Sequence, residues 1–131
     1  AGNMQIHQSA EDYLETILML TQRMGRVRSI DVVNELGYTK ASVSIAMKKL
    51  RENGYIAVDG EGNLTLLEPG REIAERIYSR HRLLTHFFVQ LGVDEEVAAE
   101  DACKAEHILS EQTLEKIREY ALLHDAQDSV K

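Results

Sequence analysis

Within the stretch 100–110, EDACKAEHILS, the residues Cys103, Glu106 and His107 stand at i, i+3 and i+4. On a helix that spacing puts a thiol, a carboxylate and an imidazole on one face. The same pattern also suits a plain amphipathic helix with a buried cysteine, since free cysteine is among the most buried residue types. Three residues upstream bear on the choice. His81 replaces an apolar residue in the middle of an apolar stripe, and Asp12 and Glu15 lie one turn apart near the start of the chain. Each has an ordinary reading: a hydrogen-bonded core histidine, the third residue of a helix capping box, a solvent-facing glutamate. If all six converged, they would close one polar pocket between three helices. Burying that many ionisable groups without a cation is costly, so a divalent metal is the natural occupant. Mixed carboxylate and imidazole ligands suit Mn²⁺, Fe²⁺, Co²⁺ or Zn²⁺, and a thiolate tilts the set toward softer ions. Glu100, one turn before Cys103, is a further ligand candidate or a group that orients a ligand. His7, His86 and His124 read as surface residues.

The elements that must position these residues are mainly helical. Residues 1–8 are polar and read as a frayed lead-in. Ser9 and Asp12 fit a capping box, and an apolar stripe at Tyr13/Leu14, Ile17/Leu18 and Leu20/Thr21 predicts a helix over about 10–23. Short helices follow at about 30–36 and 40–53, separated by Gly37, with Thr39 as the cap of the second. That is the layout of a helix-turn-helix. Lys40, Ser42, Ser44, Lys48 and Arg51 fall on its outward face, where short polar residues approach bases and Lys and Arg reach phosphates. Arg28 and Thr39 join this candidate DNA-binding set. Tyr55-Ile56-Ala57-Val58 and Leu64-Thr65-Leu66-Leu67 flank a Gly/Asp/Asn turn, which predicts a hairpin and hence a winged helix. A long helix over 70–91, then helices at about 95–109 and 111–124 capped by Asp94 and Ser110, complete the chain, with a disordered-looking tail beyond His124. The expected organisation is an N-terminal winged-helix DNA-binding domain at 4–70 and an all-helical metal-binding and dimerisation domain at 71–126.

Composition narrows the class further. Hydrophobic residues make up 44% of the 131, with one Pro, no Trp and two Phe, which predicts aliphatic cores between helices. One Cys excludes an intramolecular disulfide, and no run approaches the roughly 18 apolar residues of a membrane span. With no basic, apolar leader at the start, a cytoplasmic protein is expected. The formal charge of −7 argues against a polyanionic partner, but its distribution does not. Residues 1–70 carry seven Lys/Arg against nine Asp/Glu, and the stretch from Lys40 to Arg51 holds four basic side chains and no acidic one.

The motifs SAEDYLETI (9–17), TKASVSIAMKKLRENGYI (39–56), LTLLEPGREIAERI (64–77), RHRLLTHFF (80–88) and LGVDEEVAAEDACKAEHILSEQTL (91–114) resemble the diphtheria-toxin-repressor family of metal-dependent transcriptional regulators. Within it the chain is most similar to the shorter, two-domain manganese-transport regulators. The resemblance implies a homodimer whose winged helices bind a palindromic operator near metal-uptake genes, with Mn²⁺ or Fe²⁺ as corepressor, one or two ions per subunit. It implies Asp12, Glu15 and His81 as ligands of the manganese kind, and Glu106 and His107 as ligands common to both branches. Cys103 stands where the manganese branch has a bridging glutamate and resembles the iron branch instead. The iron branch's ancillary site needs a glutamate and a histidine that fall on Thr85 and Ala99, so that site is not expected.

Two other readings use the same residues. One is a winged-helix regulator not controlled by metal, its polar cluster purely structural. The other is a metallohydrolase, which needs an open coordination position beside a substrate cleft. The sequence offers no HExxH, CxxC or phosphate loop. His107 shares a helix with Cys103 and sits beside Glu106, which points to ligation rather than to a nucleophile. No catalytic residue is assigned, and a small-molecule substrate is not expected.

Overall fold

The computed structural model describes residues 8–130, with side chains described through residue 126. His7 and most of the frayed lead-in expected at 1–8 lie outside the described residues. The elements run α1 (Gln8–Met24), α2 (Ser29–Leu36), α3 (Lys40–Glu52), β1 (Ile56–Val58), β2 (Leu64–Leu66), α4 (Glu68–Gln90), α5 (Glu95–Ala105) and α6 (Glu111–Val130). The chain divides into two compact units, one ending at Arg76 and the other beginning at Ile77, so the division falls inside α4.

The first unit is built around α1. Every residue from Tyr13 to Leu18 is buried, and Leu20 with them. A helix buried this far round is wrapped by its neighbours rather than laid on them. Val32 of α2, Val43, Met47 and Leu50 of α3, and Ile56, Leu64 and Leu66 of the hairpin supply the rest of the core. Gly37 separates α2 from α3 in the left-handed region, at φ 72°, and its N–H donates to the Val33 carbonyl. The Thr39 hydroxyl then accepts from the Ser42 N–H at 3.1 Å and starts α3. The strands pair antiparallel, Ile56 with Leu66 and Val58 with Leu64, so Leu64 and Leu66 turn inward while Thr65 faces out.

Two expected caps, Ser9 and Asp94, do not act as caps, and α2 starts without a full one. Ser9 lies inside α1 rather than capping it, because the helix already includes Gln8. Arg28 occupies the position before α2. Its guanidinium has no acceptor, so only half a capping box forms, with the Asp31 carboxylate accepting from the Arg28 N–H at 2.8 Å. Asp94 stands at the N-cap of α5 but its side chain makes no capping bond.

In the second unit, Leu84, Ala102 and Leu114 form the core, joined by Leu83, Phe88, Ala105, Leu109 and Ile117. α5 stops at Ala105, earlier than the expected 109. Two amides, of Ile108 and Leu109, both turn back to the Ala105 carbonyl, and Ser110 begins the next helix by accepting from the Thr113 N–H at 3.1 Å. α6 runs on to Val130, where a disordered tail was expected past His124. Asp125 explains part of that extension: it accepts from Gln90 at 2.8 Å and pairs with His86 at 2.9 Å, tying the helix to α4 beyond its expected end.

α4 starts two residues before the expected 70, with Pro69 in its first turn, where a missing N–H costs nothing. Gly70 sits against the Tyr55 carbonyl oxygen, which also accepts from the Leu67 N–H at 3.0 Å. A Cβ at residue 70 would collide with that oxygen and touch the Leu14 side chain. Gly70→Ala is therefore expected to lower stability by about 1–3 kcal/mol, despite alanine's better helix propensity. A urea midpoint equal to wild type would show that α4 can shift away from the hairpin at no cost.

Candidate metal centre and nucleic-acid interface

Glu106 ends α5 with helical φ and ψ of −60° and −22°, so the face begun by Cys103 continues one residue past the helix. Its carboxylate is fully buried. Oε2 lies 3.0 Å from His81 Nδ1 of α4, and Oε1 lies 3.5 Å from His107 Nε2 without accepting a hydrogen bond. One ligand atom from each of His81, Cys103 and Glu106 falls within 4.8 Å of the others. The His107 side chain is 2% exposed and the His81 side chain 20%, while Cys103 is exposed. The structure thus gathers a thiol, two imidazoles and a carboxylate in the second unit. Glu100 stays exposed on α5.

Asp12 and Glu15 lie one turn apart on α1 of the first unit. Glu15 is buried, at 4% exposure, which removes the reading of it as a solvent-facing glutamate. Beside them, burial, then Tyr38 and Asp12, push the Tyr13 phenol above its ordinary value. Of the other histidines, His86 pairs with Asp125 and His124 Nε2 is 2.8 Å from the Tyr120 hydroxyl.

The residues fit a divalent cation. A buried carboxylate oxygen that accepts no hydrogen bond is expensive. It is expected where a positive ion takes that lone pair, and the soft and hard donors together match a transition ion.

Arg80 is a residue that sequence reasoning missed. Its Nη1 donates to the Glu106 carbonyl at 3.2 Å, and its Nη2 pairs with the Glu111 carboxylate. One guanidinium therefore fixes the turn between α5 and α6 that carries Glu106 and His107. The signal available was a basic side chain beside His81, but the carbonyl it serves lies 26 residues away.

The candidate DNA face lies on the first unit. Arg28, Thr39, Lys40, Ser42, Ser44, Lys48 and Arg51 are all exposed. Thr39 and Ser42 are engaged with each other, hydroxyl to hydroxyl at 2.9 Å, in capping α3. The outward face of α3 also includes Ala41 and Ile45, which an inventory of polar residues passes over. The wing turn is acidic. The Asn63 side chain and backbone N–H bond the Asp59 carboxylate and hold it below the usual carboxylate range, and Glu61 is exposed beside it. Arg28 lies at the base of this turn, bridged to Asn63.

A winged helix-turn-helix followed by a helical unit with a thiol, imidazole and carboxylate cluster defines a class: DNA-binding regulators with a metal-binding helical domain. Residues 5–64 match a family model described as the N-terminal DNA-binding domain of iron-dependent repressors. Residues 67–123 match the metal-binding and dimerisation domain of the same proteins. The chain belongs to this iron-dependent repressor family. An uncharacterised helix-turn-helix-type transcriptional regulator of Methanocaldococcus jannaschii is 36% identical over 113 residues, 85% of this chain and 90% of that protein. The helix-turn-helix-type transcriptional regulator MntR of Bacillus subtilis is 32% identical over 123 residues, 94% and 87% of the two chains. A solved manganese-dependent transcriptional repressor complexed with manganese superposes with a TM-score of 0.79 at 28% identity, covering 86% of this chain. The chain spans about half, 52%, of that structure's length.

Arg80→Ala is expected to weaken Co²⁺ binding roughly tenfold or more, as removal of a group that orients ligands does. Helix content by circular dichroism and the thiolate-to-cobalt absorption band should remain. Wild-type affinity would show that the turn holds its shape without the arginine.

Proposed function

We propose that this chain is a homodimeric, metal-activated repressor of divalent-metal uptake genes, with Mn²⁺ or Fe²⁺ as corepressor. The observation that carries the proposal is the fully buried Glu106 carboxylate, set between two imidazoles and near a thiol, with one oxygen accepting no hydrogen bond. His81, Cys103, Glu106 and His107 hold one or two ions per subunit, and Asp12 and Glu15 complete the ligand set from α1. When bound, the ion supplies positive charge that offsets the cost of burying the Glu106 carboxylate. Glu100 is a further ligand candidate.

Residues 4–70 serve as the DNA-binding domain and 71–126 as the metal-binding and dimerisation domain. Ligands drawn from both would couple metal occupancy to the separation of the two recognition helices in a dimer. A separation of about 34 Å, one turn of DNA, suits a palindromic operator. The coupling is a shift between arrangements, limited by the difference in ion affinity between them. Lys40, Lys48, Arg51 and Arg28 attract phosphates, while Ser44 comes close to base edges. The protein acts in the cytoplasm and is not an enzyme. No helix among the described residues is long and apolar enough to cross a membrane.

The test is binding of genomic fragments by the purified protein, chelated and then titrated with Mn²⁺, Fe²⁺ (without oxygen), Co²⁺ or Zn²⁺. Metal is expected to raise affinity, and His107→Ala to abolish that rise while the protein stays folded. Metal-stimulated binding retained in H107A would remove His107 from the ligand set. Binding that ignores chelation would favour a regulator not controlled by metal. Lys48→Ala and Arg51→Ala should each weaken binding to all sequences alike and lower the slope of log affinity against log salt by about one. An unchanged slope would move the phosphate contacts off α3.

A further inference from the structure

α3 exposes an apolar side chain that the fold does not use. Ile45 is 57% exposed, and Ala41, one turn earlier, is exposed as well. The inward face of α3 is Val43, Met47 and Leu50, so Ile45 adds nothing to the core. Nor does it help the helix, where a β-branched residue gives up side-chain freedom that alanine does not. A single exposed aliphatic residue is ordinary on a protein surface. The setting of this one is not: its neighbours at i−1 and i+3 are Ser44 and Lys48, and the helix around it carries Lys40, Lys49 and Arg51 with no acid until Glu52.

Resting on the reading of α3 as the DNA-contacting helix, we propose that Ile45, with Ala41, selects thymine in the operator by packing on its 5-methyl group. Every base pair offers donors or acceptors in the major groove, but only thymine offers an apolar group there. Isoleucine has no donor or acceptor to give. Opposite thymine it buries a methyl against hydrocarbon. Opposite cytosine it faces an amino group and leaves that donor without a partner, which is penalised. The small side chain of Ala41 lets the helix come close on the same side. The flanking lysines supply attraction to any sequence, and the apolar pair supplies discrimination.

The experiment uses the full chain loaded with Mn²⁺ or Co²⁺ and duplexes selected by it from a randomised pool. Thymines are replaced one at a time by deoxyuridine, which lacks only the methyl group. Wild type is expected to lose roughly three- to fivefold in affinity at one thymine in each half-site, the worth of one buried methyl. In Ile45→Ala that loss should shrink to less than about twofold at the same position, by the same reckoning. Lys48→Ala should bind every duplex more weakly yet keep the uracil penalty. A penalty of equal size in wild type and I45A, or no penalty at any thymine, overturns the assignment. A change of oligomeric state in I45A with the penalty intact would give the patch to a second copy of the chain and overturn it equally. If the metal-loaded wild type selects no duplex at all, it is the DNA-binding reading that fails, a result distinct from the others.

Discussion

The burial of one carboxylate constrains much of the second unit. Glu106 is withdrawn from solvent entirely, at the end of a helix, with an imidazole within hydrogen-bonding distance of one oxygen and no hydrogen bond to the other. An acid so placed needs compensation from every side. The surrounding architecture reads as the means of holding it: α5 ends one residue earlier, the chain tightens through a turn, Ser110 starts α6 at once, and Arg80 grips the Glu106 carbonyl while pairing with Glu111. The cluster is stiff at its backbone and open at one edge, where Cys103 reaches the surface.

The first unit solves a different problem with apolar material. The middle of its central helix, from Tyr13 to Leu18, is buried on all sides, and its hairpin is only three residues a side. So small a sheet has no stability of its own. It depends on α1 and on the seat of α4, which Gly70 permits by letting a carbonyl of the hairpin approach the helix backbone.

Much of this was legible in the sequence, for physical reasons that differ by element. Thr39 and Ser110 accept from amides three residues on and the Gly37 N–H donates to a carbonyl four residues back, so their effect is local and readable. The wing was readable from β-rich runs around a Gly/Asp/Asn turn. Ends set by distant partners were not readable: α6 continues because Asp125 meets His86 and Gln90, and no pattern in the last twenty residues announces that. Asp94 has the right type and position for a cap and still does not act as one. At the candidate metal centre the residue types and their spacing were visible. The complete burial of Glu106 and the service of Arg80 were not, because both depend on contacts about 25 residues apart.

The acidic wing has a consequence for search. A winged helix that carried lysines at its tip would gain affinity for every stretch of duplex alike. Asp59, kept ionised by its own turn, and Glu61 subtract from that general affinity. Against a chromosome of competing sites, occupancy of the correct one depends on the ratio of specific to non-specific binding rather than on either alone. Negative charge on the wing lowers the backbone attraction common to every sequence, so a larger share of the affinity must come from contacts that tell one sequence from another.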